Sequence, residues 1–274
     1  MHDKKLLHDE LEKRVTERTL DLEEANKELQ RSNHELQQFA YVASHDLQEP
    51  LRKIMTFSDR LEPSKVVLPE QGRTYLEKIN ESSRRMTRLI DDLLDYSRLS
   101  RSGNTFVNTD LNKILEEVMP DFEVIVNQKK AIVNVGALPT VNAVPLQMQQ
   151  LFHNLISNAF KFTKEDGVPE IGISARPLRQ EEAKKHRSLS TEGRYSQITV
   201  KDNGIGFPNE FAEQIFVIFQ RLNDKKHFPG TGIGLAICSK IVSNHGGEIY
   251  AEGKENEGAE FHVILPLAGS NGSK

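Results

Sequence analysis

Much of what would quickly sort this sequence into a class is scarce in it. Cys238 is the only cysteine, which excludes an internal disulfide framework and any multi-cysteine zinc site. No stretch approaches the roughly 20 consecutive apolar residues of a membrane span, and the opening MHDKKLLHDELEKR lacks the apolar core of a signal peptide. Neither sign of charge dominates: 36 Lys and Arg stand against 40 Asp and Glu, a net −4. That balance argues against a nucleic-acid partner, which would demand a strongly basic face. The first forty residues contain neither glycine nor proline. With 28% charged and 37% hydrophobic residues, the chain reads as globular but polar-rich, as a long solvent-facing helical section would make it. Its 274 residues fit about two domains at roughly 150 residues each. The expectation is a soluble, cytoplasmic protein with two dissimilar halves.

Val15, Leu22, Leu29, Leu36 and Ala43 recur one heptad apart, with Leu11, Arg18, Ala25, Ser32 and Phe39 in the d positions between them. This predicts a coiled-coil helix over 1–38, weakened at Arg18 and Ser32; the plainer alternative is one amphipathic helix on a globular core. The stripe then slips through Leu36, Phe39, Ala43, Leu47 and Leu51, a stutter that unwinds a left-handed supercoil. Helix continues past Ile54, Phe57 and Leu61 to a break at 62–72, marked by Pro63, Pro69 and Gly72. A second amphipathic run carries Leu76, Ile79, Met86, Leu89, Ile90, Leu93 and Leu94. Residues 39–100 are thus expected to form an antiparallel helical hairpin. One hairpin cannot bury both stripes, so two copies should pack as a four-helix bundle in a homodimer.

After a linker at 101–104, inside SRSGN, the pattern alternates between strands and helices. Strands are predicted at Phe106–Val107, Ala131–Val135, Glu170–Ala175, Ser196–Lys201, Glu248–Ala251 and Glu260–Pro266. Helices are predicted at 110–126, kinked near Pro120, and at 145–162 and 233–245. The charged stretch 176–195 reads as a surface loop or hairpin insertion. Residues 105–267 therefore form one α/β sandwich, followed by a flexible tail at 268–274.

Four groups of residues could carry chemistry. In YVASHDLQEPLRK, two helical positions turn about 200°, so His45 points away from Ala43 and Leu47 and toward water. Asp46 beside it could hold the imidazole tautomer and take its proton, although adjacent helical residues do not naturally face each other. Pro50 removes a helix bond one turn away. In LFHNLISNAFKFT, Asn154, Asn158 and Lys161 share one face of an otherwise apolar helix. Amide oxygens suit Mg²⁺, which completes its shell with phosphate and water, and the lysine adds charge for phosphate. The other reading of that face is a capping or solvent face. In DNGIGF, Asp202 is an acceptor fit for an exocyclic amine such as adenine's, and Gly204 and Gly206 permit close approach. In GTGIGLAI, Gly230, Gly232 and Gly234 lead into an apolar helix whose amino end can hold phosphate. Between these, IFVIFQRLNDKKHF offers Phe216 and Phe219 as anchors by helical spacing. Its Arg221, Lys225, Lys226 and His227 form a cationic cover that could serve as an ATP lid.

The order of these motifs resembles that of the sensor histidine kinases of two-component systems. SHDLQEPL corresponds to their phosphoacceptor motif, NLISNAFKFT to the N box, and DNGIGF to the first glycine box. IFVIFQR corresponds to the F box, GTGIGLAI to the second glycine box, and HGGEIYAEG and GAEF to the closing strands. The resemblance covers about 36–266 and implies a phosphotransfer hairpin followed by a Bergerat-type (GHKL) ATPase fold. It implies that the γ-phosphoryl of Mg-ATP passes to His45, with Asp46 as base, and then to an aspartate of a response-regulator receiver. Asn158 with Asn154 would hold Mg²⁺, Lys161 and Arg221 would meet phosphate, and Asp202 would read adenine. Gly204, Gly206, Gly230, Thr231, Gly232, Gly234 and Leu235 would shape the pocket. Glu49 stands where kinases that also dephosphorylate their partner often carry Thr or Asn, a departure that leaves phosphatase activity open. HDLQEPLR is similar to the variant of phytochrome-like and PAS-linked kinases, and VTERTLDLEEANKEL resembles the helix that follows a PAS sensor. An upstream sensor domain absent from this chain is the corresponding expectation. The competing readings are another ATPase of the same nucleotide fold and a nucleotide-switched dimeric scaffold.

Overall fold

The computed structural model describes residues 12–15, 18–19, 21, 25, 27, 44, 46–61, 69–99, 105–165, 167–186, 189–190, 193–222, 228 and 230–268. Of the predicted coiled-coil seam, only Val15, Arg18 and Ala25 are among them, helical and exposed. The remainder of that seam, the stutter up to Ala43, His45, residues 62–68, the linker 101–104, Lys225, Lys226, His227 and the tail from 269 lie outside the described residues. The chain divides into two compact units, one ending at Ile90 and the other beginning at Asp91.

In the first unit, α1 (46–61) and α2 (Glu70–Arg98) are the helices expected from the apolar stripes. α2 opens with Pro69 accepting from the amides of Gly72 and Arg73. It carries Glu70 in its first turn and Arg98 in its last, each matched to the helix dipole. α2 continues into the second unit after Ile90. The packed positions differ from a purely apolar stripe. Ser44, Leu51 and Ser58, seven residues apart, are buried, as are Leu76, Asn80, Ser83 and Ile90 of α2. Leu47 is 55% exposed and Phe57 62%, and Ile54, Leu61, Tyr75, Ile79 and Met86 are exposed too. Leu47 and Leu51 are therefore not equivalent, contrary to the single stripe expected. The apolar arc is wider than one neighbouring helix can cover, so its flank stays outside.

In the second unit, β1 (Val107–Asp110) pairs antiparallel with β3 (Thr140–Ala143) as a small two-stranded sheet. The main sheet has the order β2-β4-β5-β7-β6, from Ile132–Val135, Glu170–Pro177, Tyr195–Asp202, Gly258–Pro266 and Glu248–Lys254 respectively. Only β2 and β4 run parallel. The predicted long helix at 110–126 breaks, as Pro120 requires, into α3 (Leu111–Val118), a 3-10 turn and α4 (Glu123–Lys129). Asp110 caps α3 by accepting from the Asn112 amide. β3 was not anticipated. Its four residues, TVNA, are too few to show a period against the following helix. The 176–195 stretch is more than a loop, since it contains the short helix α6 (Gln180–Ala183).

The core lies between the main sheet and α3, α5 (Pro145–Lys161) and α7 (Gly234–Asn244). Leu111, Met148, Phe152, Leu155, Ile156, Ile241, Ile198 and Val263 are buried there. His245, just after α7, closes this layer: its Nε2 accepts from the Val144 amide and its Nδ1 meets the Ile241 carbonyl at 2.7 Å. That pair of contacts requires a neutral ring protonated at Nδ1, and burial holds its pKa below the usual histidine value.

Candidate nucleotide site

A cavity of about 490 Å³ opens in the second unit along one side of α5. α5 turns Leu151, Phe152, Leu155, Ile156 and Ala159 into the core. The same 3.6-residue period leaves Asn154, Asn158 and Lys161 on the cavity wall, as expected. Asn154 Nδ2 donates to the Gly234 carbonyl at 3.4 Å, joining α5 to α7.

Asp202 ends β5, lines the same cavity and is 7% exposed. Its Oδ1 accepts from the amides of Gly204, at 2.9 Å, and Ala259, at 3.3 Å. These bonds orient the group and leave Oδ2 for a ligand. Burial raises the carboxyl pKa, and the two amides pull it back. Gly204 supports this carboxylate rather than lining the cavity. Gly206 lines it in the left-handed region, with φ of 60°, where an added Cβ would overlap the Lys254 carbonyl. Phe207, Ile215, Ile237 and Phe261 make the wall around Asp202 apolar.

Two cations line the cavity as well. Arg221 donates to the carbonyls of Gly230 and Phe228, each at 2.7 Å. Lys161 lies beside Gly230, with its Nζ 4.5 Å from the centre of the Phe162 ring. Its pKa is pushed down to about 8, first by burial and then by Arg221. Gly230, Thr231, Gly232, Gly234 and Leu235 all line the cavity. Gly232 adopts φ of 79°, and its carbonyl accepts from the Phe219 amide. The anchoring expected of Phe219 does not occur. That residue is 55% exposed with φ of 65°, because 214–216 is a 3-10 turn rather than a longer helix. Ile215 is the buried residue of this turn.

Sequence reasoning missed several cavity residues. Gln150 and His153 continue the Asn154–Asn158–Lys161 face by one turn, so extending the helical period would have found them. Phe162 and Phe228 pair at 5.3 Å. Asp92 and Asp95, from the last two turns of α2, also line the cavity, and no local signal pointed to them. Thr231 Oγ1 donates to Asp92 Oδ2 at 2.5 Å. Asp46 is exposed and belongs to the first unit, where Glu49 pairs with Lys53 at 2.7 Å.

Chemically, the cavity offers a hydrogen-bond acceptor in an apolar recess, a glycine-rich rim and two cations. The side-chain amides of Asn154 and Asn158 line it as well. Two family models match the chain. The "His Kinase A (phospho-acceptor) domain" covers 35–102, and the "Histidine kinase-, DNA gyrase B-, and HSP90-like ATPase" covers 143–269. The chain belongs to the sensor histidine kinases. A helical phosphoacceptor-type region followed by an α/β ATPase domain is thus the architecture of this kinase. It is 39% identical over 243 residues to Cyanobacterial phytochrome A of Nostoc sp., a match that covers 88% of this chain and 30% of that protein. It is 28% identical over 246 residues to Sensor protein kinase WalK of Staphylococcus aureus, covering 87% of this chain and 55% of that protein. The kinase chain therefore spans about a third of the phytochromes it matches and about half of that WalK. In fold it is similar to full-length ShkA in complex with AMPPNP, with a TM-score of 0.62, 22% identity, and coverage of 85% of this chain and 47% of that one. It is also similar to the histidine kinase AdeS of Acinetobacter baumannii, with a TM-score of 0.53 and 17% identity over 80% of this chain and 95% of that one. Among the described residues, no helix is long and apolar enough to cross a membrane.

Proposed function

We propose that this chain is a kinase core that transfers the γ-phosphoryl group of ATP to His45 and then to an aspartate of a response-regulator receiver. The observation that carries this is the lining of a single cavity, which combines the oriented Asp202 carboxylate, the Lys161–Arg221 pair and a glycine-rich loop. A nucleotide has the complementary groups. Its adenine amine would donate to Asp202 Oδ2, its base would lie against Phe207, Ile215 and Phe261, and its phosphates would reach Lys161, Arg221 and the 230–235 loop. The 35–102 phosphoacceptor match contains His45, which supplies the nucleophile.

In the transfer, an imidazole nitrogen of His45 forms the N–P bond as the bond from γ-phosphorus to the ADP oxygen breaks. Asp46 takes the ring proton. The donors around the cavity suit Mg²⁺. Asn158 faces it with no side-chain hydrogen bond to another described residue, and Asn154 uses only its Nδ2, which leaves two amide oxygens for a hard cation. Bound there, Mg²⁺ would neutralise phosphate charge. Lys161 and Arg221 hold the leaving diphosphate, and the apolar wall excludes water from the adenine end. The exposed flank of α1 and α2, with Ile54, Phe57, Ile79 and Met86, supports a homodimer in which a second hairpin covers it as a four-helix bundle. Because the donor is ATP, the core is placed in the cytoplasm.

Incubation with γ-labelled ATP tests the transfer. Acid-labile, base-stable label on the protein, absent in His45→Ala, is expected. Label that persists in that variant rejects the assignment. ATP hydrolysis with no protein label favours the plain ATPase, and nucleotide binding with neither favours the scaffold.

A further inference from the structure

The nucleotide site uses one face of the main sheet, and the other face carries a buried polar network with no part in it. There the described residues of the 178–194 connection, 178–186, 189–190 and 193–194, fold back over β5, β7 and β6. Ala183 and Leu189 from the connection pack with Tyr195 and Ile264 of the sheet, and Leu178 and Tyr250 lie against this cluster. Several polar contacts hold the connection down, among them the Ser190 amide, which donates to the Tyr195 hydroxyl at 2.9 Å. Arg176 of β4 pairs with Glu182 of α6 at 2.8 Å, and His186 Nδ1 meets Glu248 of β6 at 2.7 Å.

His262 lies at the centre of this face, 7% exposed and stacked on Tyr250 with ring centres 4.6 Å apart. Its protonation state follows from its neighbours. Arg176 has only donors, so its 2.6 Å contact makes Gln197 Oε1 the acceptor and turns Gln197 Nε2 away. That Nε2 donates to His262 Nδ1 at 2.9 Å and to the Tyr250 hydroxyl at 3.2 Å. Nδ1 is therefore an acceptor, with Thr199 Oγ1 also 3.0 Å from it. The ring is neutral and carries its hydrogen on Nε2, a buried atom with no hydrogen-bond partner among the described residues.

We propose that His262 is an acid-sensitive lock holding the 178–194 connection on the outer face of the sheet. A proton on Nδ1 would set two N–H groups against each other and expel the Gln197 amide. Arg176 would then lose one of the two acceptors that anchor it above α6. The charged groups around the ring divide. Glu260, on the same strand, has Oε2 3.8 Å from Nε2 but is already paired with Lys201. Glu252 on β6 also favours a cation, and Arg176 on β4 opposes one; Tyr250 on β6 and Thr199 and Gln197 on β5 are neutral. Burial is the largest influence and depresses the histidine pKa. The sign follows: the folded ring binds fewer protons than a free one, so the lock is complete above about pH 6.5 and weakens as pH falls below it.

Amide hydrogen exchange across 178–194 in the full chain, corrected for intrinsic rates, tests this at about pH 7.5 and about pH 5.5. Protection is expected to fall at the lower pH by several-fold, with a ceiling of about tenfold for a single proton. That dependence should vanish in His262→Gln and survive in His186→Gln. Unchanged protection in the native chain, dependence that survives in His262→Gln, or dependence lost in His186→Gln would each overturn the proposal. If His262→Gln fails to fold, the native ring's own NMR titration decides. A midpoint below about 6.5 supports the lock, and one at or above it overturns it. Exchange is the chosen readout because the titration of Asp202 would itself alter nucleotide binding.

Discussion

The two units bury their apolar residues in opposite ways. The ATPase unit encloses Met148, Phe152, Leu155, Ile156 and Ile241 almost completely. The hairpin instead buries Ser44, Ser58, Asn80 and Ser83 among its few apolar contacts and leaves Leu47, Ile54, Phe57 and Ile79 outside. Among the described residues, Asn80 has no hydrogen-bond partner for its Oδ1 or Nδ2. Among the described residues, one unit closes over its apolar core, whereas the other leaves an apolar flank of the kind that marks interaction surfaces.

The strongest test of that contrast is Leu155→Ala, at a position with no exposure. It should destabilise the ATPase unit by about 2–5 kcal/mol, read by denaturant unfolding, because the helix-packed core cannot collapse around the cavity. A loss below about 1 kcal/mol would mean that the core is looser than its burial indicates. Next is Asp202→Asn, which keeps an acceptor for the Gly204 amide but offers the adenine amine a weaker, uncharged partner. ATP affinity by calorimetry should fall about 10- to 100-fold, as for a lost hydrogen bond to a charged group. Unchanged affinity would separate the buried carboxylate from nucleotide recognition.

Phe57→Lys addresses the hairpin side. Sedimentation should show dimerisation of the full chain weakened by about tenfold or more, with ATP affinity unaltered. A dimer of undiminished stability would show that the exposed flank is not the interface. The smallest effect concerns Lys161. Its folded pKa of about 8 lies below that of a free lysine, so its charge is lost as pH rises through that value. ATP binding should weaken a few-fold between about pH 7 and about pH 9, and Lys161→Met should flatten that dependence. Protein stability moves the other way. The folded chain binds fewer protons at this group, so its stabilising share grows as pH rises from about 8 to about 10.4.

Much of the site was legible before folding. Asn154, Asn158 and Lys161 needed only the helical period, and Asp202 and the glycine loops announced themselves by residue type and order. Phe219 misled because a helical spacing was assumed across a segment that turns as 3-10 and then passes through a left-handed residue. Asp92 could not be foreseen, since it is 139 residues from its partner Thr231. The short β3 and the folded-back 178–194 connection escaped for a related reason: their order comes from what they pack against.

By itself the sequence determined the two-part plan, the period of each long helix and the chemical character of the nucleotide cavity. These rest on local spacing and side-chain chemistry, which every residue carries with it. Only the tertiary structure decided which carboxylate oxygen of Asp202 is left for a ligand, which flank of the hairpin stays uncovered, and which tautomers His245 and His262 must adopt. Those outcomes depend on donors and acceptors brought together from distant strands and helices, and a hydrogen bond has no direction until both of its partners are in place.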